Sequence, residues 1–205
     1  MCPQGGPNPA PTIDDTRPWM NEHLFLLINA APGLNGIPLL LSLFLARYAG
    51  YLVPLLMAVI WMREGTEGRR DLLQMLYAMA ISMLIAHLVR LSFPHPRPFV
   101  LHLGQQYLAH GPSSSLPSSH TTFVWSIAVA AFFTRRLAIF GFPLLTLGLL
   151  VGWSRVYLGV HFPFDIAAAL PVSIAGAFLA WKCRTWSDLR ISSRVLRIYD
   201  SAVRV

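Results

Sequence analysis

Charge is scarce in this chain. Of its 205 residues, 12% are Asp, Glu, Lys or Arg, about half the share of a typical soluble domain. Lysine is nearly absent, with Lys182 the single one. With 55% hydrophobic residues and a mean hydropathy of +0.53, the chain lacks the polar surface that a water-soluble fold of this size needs. Cysteine is equally sparse. Cys2 and Cys183 stand at opposite ends, which excludes a disulfide framework and any thiolate metal or redox spacing. Residues 1–20 contain no apolar core with a basic flank, so no secretory signal is visible there, and they read as a disordered tail. There is no internal repeat.

What is present is a series of apolar runs separated by arginine. Four stretches, about Leu72 to Val89, Thr121 to Phe133, Leu137 to Val151 and Phe164 to Trp181, read as membrane spans, and Gly50 to Met62 as a shorter fifth. The expectation is an all-α integral membrane bundle of five transmembrane helices. Residues Asn21 to Arg47 leave a sixth span open. They are broken at Ala31 to Gly36 and again at Pro38, which favours interfacial helices and lets Arg47 snorkel to the head groups. Trp61, Trp153 and Trp181 read as interface anchors.

The formal net charge is +7. A basic balance can indicate nucleic acid, but here the charges lie in loops between apolar runs. Arg63, Arg69 and Arg70, then Arg135 and Arg136, then Lys182, Arg184, Arg190, Arg194, Arg197 and Arg204 alternate onto one side. The positive-inside rule makes that side cytoplasmic. The last cluster reads as a basic cytoplasmic tail over 186–205, set against anionic head groups. Membrane lipids are thus expected partners; no protein partner is indicated.

The outward loops then carry three polar segments. Arg90 and Arg97-Pro98 lie seven apart at the end of the second span. Pro117-Ser118-Ser119-His120 opens the third. Ser154-Arg155 and His161, followed by Asp165, lead into the last. Arg90, Arg97 and Arg155 are fixed cations with planar donor forks suited to phosphate oxygens. Ser118 is placed as a helix N-cap, and a helix start offers free N–H groups to an anion. Asp165 is close enough in sequence to orient His161, fixing its tautomer and leaving the other ring nitrogen as a nucleophile. These are the parts of metal-free phosphoryl transfer: positioning, nucleophile, proton donor and charge neutralisation.

The three segments resemble the tripartite signature of the type 2 phosphatidic acid phosphatase superfamily, with Arg90 in place of the usual lysine and Ser119 in place of glycine. From about Glu22 to Trp181 the chain is similar to the bacitracin-resistance type, the bacterial undecaprenyl pyrophosphate phosphatases. The resemblance implies a polyprenyl pyrophosphate substrate, dephosphorylation through a phosphohistidine on His161, His120 as general acid and base, and Asp165 as the orienting carboxylate. Arg90, Arg97, Ser118, Ser119 and Arg155 would hold the phosphoryl oxygens. No cofactor or metal is implied, and residues 21–185 would form the phosphatase domain on the outer face of the bacterial cytoplasmic membrane. His110 and Ser154 are candidates for supporting the site from its edge. His87 reads as a packing or supporting residue and His23 as an interfacial one. Three other readings stay open: another lipid phosphatase (lipid A or phosphatidylglycerophosphate), a phosphotransferase to an acceptor lipid, and a drug exporter. Against export, the ionisable groups gather at one membrane face and not at the midplane.

Overall fold

A computed structural model describes residues 20–203. The expected tail over 1–20 therefore lies outside the described residues, except for Met20, which begins the first helix. Ten α-helices follow in order: α1 Met20–Ile28, α2 Gly36–Arg47, α3 Leu52–Arg63, α4 Thr66–Ser92, α5 Ser119–Ala131, α6 Gly141–Tyr157, α7 Pro163–Ala167, α8 Ala169–Lys182, α9 Arg184–Ser187 and α10 Ser193–Val203. No strand occurs among the described residues.

Among the described residues, three helical stretches are long and apolar enough to cross a membrane: Thr66–Ser92, Ala138–Tyr157 and Pro163–Lys182. Gly36–Arg47 and Ala49–Arg63 pass together as a fourth, bent by 41°. Large apolar side chains such as Leu55, Leu84, Leu149 and Phe178 point out of the bundle, as a multi-pass membrane protein requires when lipid replaces water around it. The bend corrects one expectation. Pro38 does not break the chain; it sits in the first turn of α2, where its missing N–H costs no helix bond. The break falls at Tyr48 to Tyr51 instead, where a short 3-10 turn intervenes.

Helix α5 has 13 residues, roughly 20 Å at 1.5 Å per residue, short of a ~30 Å hydrocarbon core. It lies among α4, α6 and α8, and nine of its residues are buried. It is therefore enclosed on most sides, with the polar residues Thr121, Thr122 and Ser126 buried among the apolar ones. Close approach comes from small residues. A Cβ on Gly176 of α8 would overlap the Ser82 side chain of α4 and lie 2.7 Å from the Ser82 nitrogen. The Trp125 indole packs over Gly148 and donates to the Leu145 carbonyl at 3.0 Å.

Residues 184–203, expected within or beside a basic tail, are helical and pack back on α4. Ser187 Oγ donates to Gln74 Oε1 at 3.5 Å, Tyr77 and Ser192 hydroxyls lie 3.3 Å apart, and the Arg69 guanidinium stacks 4.5 Å from the Tyr199 ring centroid. At this end a cavity of about 510 Å³ gathers Arg70, Arg135, Arg136 and Arg184 with Glu67, Asp71 and Asp188. The basic turns thus share one end of the bundle. The ends of α4 and α6 and the starts of α5 and α7 meet at the other.

Because Gly176 leaves no room for a side chain, Gly176→Leu is expected to lower stability by about 1–3 kcal/mol through overpacking. Thermal unfolding in detergent checks it; an unchanged midpoint would show that α4 and α8 separate without cost.

Candidate active site

The last turn of α6 sets the geometry. The Val160 N–H donates to the Arg155 carbonyl at 3.0 Å and the Gly159 N–H to the Val156 carbonyl at 3.0 Å, the paired bonds of a Schellman cap. Gly159 takes φ +82°, and the Gln105 backbone packs where its side chain would be. Only glycine meets both conditions. Asn29 fixes the same corner, donating to the Gln105 and Tyr157 carbonyls at 2.9 and 3.1 Å. Five residues therefore suffice to carry the chain from Arg155 in α6 around to His161.

His161 then enters the short helix α7 region beside Asp165. Its Nδ1 lies 3.2 Å from Asp165 Oδ2, which also accepts the Phe162 N–H at 2.8 Å. The Asp165 backbone carbonyl accepts the Ser118 N–H at 3.0 Å, tying α7 to the start of α5. His161 is 2% and Asp165 0% exposed. On the other side of the ring, Arg97 Nη1 lies 3.1 Å from His161 Nε2. A guanidinium can only donate. Nε2 is therefore the acceptor, and the ring proton sits on Nδ1, facing the carboxylate. Burial lowers the His161 pKa to about 4; the hydrogen bond and charge of Asp165 oppose that shift, while Arg97 and Arg155 add to it. The imidazole is neutral at pH 7, with its Nε2 lone pair engaged by Arg97.

Three guanidinium groups surround this ring's end of the bundle. Arg97, 4% exposed, also donates to the carbonyls of Ser113 at 2.9 Å and Val160 at 2.8 Å. Arg155, 3% exposed, donates through Nη2 to the Ala46 carbonyl at 2.8 Å, while its Nε and Nη1 are buried without a partner. Buried donors of this kind call for an acceptor. Arg90 reaches Ser119 Oγ at 2.8 Å and the Pro117 carbonyl at 3.3 Å.

Ser118 occupies the N-cap position as expected but makes no capping bond. Its hydroxyl accepts from Thr121 Oγ1 at 3.2 Å, so the first N–H groups of α5 remain open to an anion. His120 lines a cavity of about 390 Å³ together with His110 and Arg155. The His110 and His161 ring centroids are 6.4 Å apart. Ser154 is not brought in: its buried hydroxyl donates to the Val151 carbonyl at 2.7 Å, within its own helix.

Sequence reasoning passed over His95. Its Nδ1 lies 3.0 Å from Ser115 Oγ and 3.7 Å from Asp165 Oδ1, so it backs the carboxylate. Its place between Arg90 and Arg97 was the available signal. The Ala46 carbonyl and the Asn29 side chain carried none, since the groups they bond are distant in sequence.

A membrane helix bundle with a buried neutral histidine, an orienting carboxylate and three guanidinium groups at one end is the equipment of an integral membrane phosphatase. The chain belongs to the PAP2 superfamily, whose sequence profile matches residues 71–188. It is 36% identical over 161 residues to YbjG of Escherichia coli (strain K12), covering 78% of this chain and 81% of that protein. To the undecaprenyl-diphosphatase BcrC of Bacillus subtilis (strain 168) it is 32% identical, covering 90% of this chain and 94% of that one. The crystal structure of Aquifex aeolicus LpxE superposes with a TM-score of 0.64 at 22% identity, covering 78% of this chain and 93% of that one, a likeness of fold.

The buried setting of His161 is directly measurable. In histidine-labelled protein in detergent, its ring resonances are expected to titrate near pH 4, and lower still in Asp165→Asn, since the carboxylate favours the proton. A midpoint near the ordinary 6.5 would show that burial does not hold the ring neutral.

Proposed function

We propose that this protein removes the terminal phosphate of undecaprenyl pyrophosphate, leaving undecaprenyl phosphate, through a phosphohistidine on His161. The observation that carries the chemistry is the line Asp165–His161–Arg97, in which the carboxylate takes Nδ1–H and leaves the Nε2 lone pair exposed to an anion-binding cradle. The identity of the lipid leans on the relative named undecaprenyl-diphosphatase, similar over 90% of the chain.

In the first step Nε2 attacks the terminal phosphorus. The bond from that phosphorus to the bridging oxygen breaks, and the departing lipid phosphate takes a proton from His120, which is protonated once the negative charge of the bound diphosphate offsets the nearby guanidinium groups. In the second, water attacks the phosphoenzyme, His120 takes its proton, and inorganic phosphate leaves. Asp165 holds the imidazole and balances its positive charge while phosphorylated. Before attack, Arg97 Nη1 exchanges Nε2 for a phosphoryl oxygen. Arg90, Arg155, Ser118 and the Ser119 and His120 amides complete the cradle. No step uses a metal or cofactor. His110 stands at the edge of the cradle.

An apolar cavity of about 250 Å³, walled by Pro54, Phe123 and Val151, meets His120 and accepts the start of the lipid tail. The cradle lies at the bundle end opposite the basic turns, which under the positive-inside rule is the outer face of the bacterial cytoplasmic membrane. There the reaction recycles the carrier lipid of cell-wall synthesis and confers bacitracin resistance.

The test is purified protein in detergent with excess chelator, given undecaprenyl pyrophosphate, lipid A and phosphatidylglycerophosphate. The pyrophosphate is expected to be cleaved fastest. His161→Ala should fall to background and His120→Ala close to it, while His23→Ala, exposed on α1, keeps full activity. A requirement for added divalent metal, or faster cleavage of phosphatidylglycerophosphate, would overturn the proposal.

A further inference from the structure

The three signature arginines account for one phosphate, but a lipid diphosphate carries two. We propose that Arg47 forms a second phosphate subsite, one that binds the lipid-side phosphate and makes the site selective for diphosphates. The inference rests on His161 being the nucleophile.

Displacement at phosphorus is in line, so the leaving oxygen lies opposite His161, on the side of His120. The lipid-side phosphate hangs from that oxygen. The groups on that side are those of the two cavities that meet at His120. Arg47 lines both, the polar one shared with His110 and Arg155 and the apolar one leading to Phe123 and Val151. It therefore stands where head group gives way to tail, the position of the second phosphate.

Its backbone is tied to the cradle. The preceding residue, Ala46, gives its carbonyl to Arg155 Nη2 at 2.8 Å, so the end of α2 is registered against a phosphate-binding side chain. The bend between α2 and α3 begins at the next residue, Tyr48, and the residues after it, Tyr51 and Pro54, wall the same apolar cavity. The Arg47 side chain is exposed and, among the described residues, has no hydrogen bond or ion pair. Arg97, by contrast, spends its donors on carbonyls and on His161. A free guanidinium with a planar fork is suited to a phosphate that arrives with the substrate and leaves with the product. The competing role, a cation resting among lipid head groups, would not distinguish one phosphate from two.

The experiment compares wild type, Arg47→Ala and Arg47→Lys in detergent, with farnesyl diphosphate as substrate. Orthophosphate serves as an inhibitor that fills only the terminal site, and a non-hydrolysable farnesyl bisphosphonate as one that fills both. Arg47→Ala is expected to raise the KM for the diphosphate and the inhibition constant of the bisphosphonate roughly 10- to 100-fold, the range for a lost bond to a charged group. Orthophosphate inhibition should stay within about twofold. Arg47→Lys should recover part of the loss, and all three proteins should unfold at the same temperature. Equal weakening of both inhibitors, or of neither, overturns the subsite while leaving the proposed function intact. Wild-type enzyme that cleaves neither farnesyl nor undecaprenyl diphosphate overturns that function, and the subsite with it.

Discussion

Asp165 joins everything that makes the site. One carboxylate oxygen accepts from both the His161 ring and the Phe162 amide, and its backbone carbonyl holds the start of α5 through Ser118. These bonds join the turn at the start of α7 to the start of α5, two segments separated by a long stretch of chain. A carboxylate this deeply buried is costly unless it is paired. Here the pairing comes from donors on its own turn and from the field of Arg97, with His95 behind it. The same arrangement gives His161 its tautomer, so the docking of α5, through the backbone, and the state of the imidazole, through the carboxylate, depend on one residue.

The second constraint is repulsion. Arg97 and Arg155 are both buried near the same ring, and among the described residues neither donates to a carboxylate. Arg97 satisfies itself with carbonyls and His161 Nε2. Arg155 does not, and keeps two buried donors without partners. In the proposed reaction a phosphoryl group accepts from these donors, offsets the repulsion, and frees Nε2 as Arg97 moves to an oxygen, so that substrate binding and exposure of the imidazole nitrogen would be a single event.

Much of this was legible in the sequence because it depends on local spacing. The interval from His161 to Asp165 is one helical turn, the interval from Arg155 to His161 is a Schellman cap with its glycine, and the apolar runs alternate the three polar segments onto one end. What was not legible depends on neighbours remote in sequence. Nothing near Ala46 shows that its carbonyl would meet Arg155, and nothing near Asn29 shows that it would clamp the end of α6. Ser154 sits inside the signature, yet its hydroxyl bonds its own helix. Pro38 looked like a break but lies in a first turn, where proline is tolerated, and the bend is one turn past the end of α2. The C-terminal residues were read from charge alone, which conceals that Tyr199 and Ser187 dock them against α4.

The central claim is a covalent one: phosphate passes through His161. Single-turnover rapid quench with a lipid diphosphate radiolabelled in its terminal phosphate tests it most directly. The account predicts a transient protein-bound label that is stable in base, labile in acid, and mapped to the peptide containing His161. Release of labelled phosphate with no protein-bound label at any time, or a label on another residue, would contradict it.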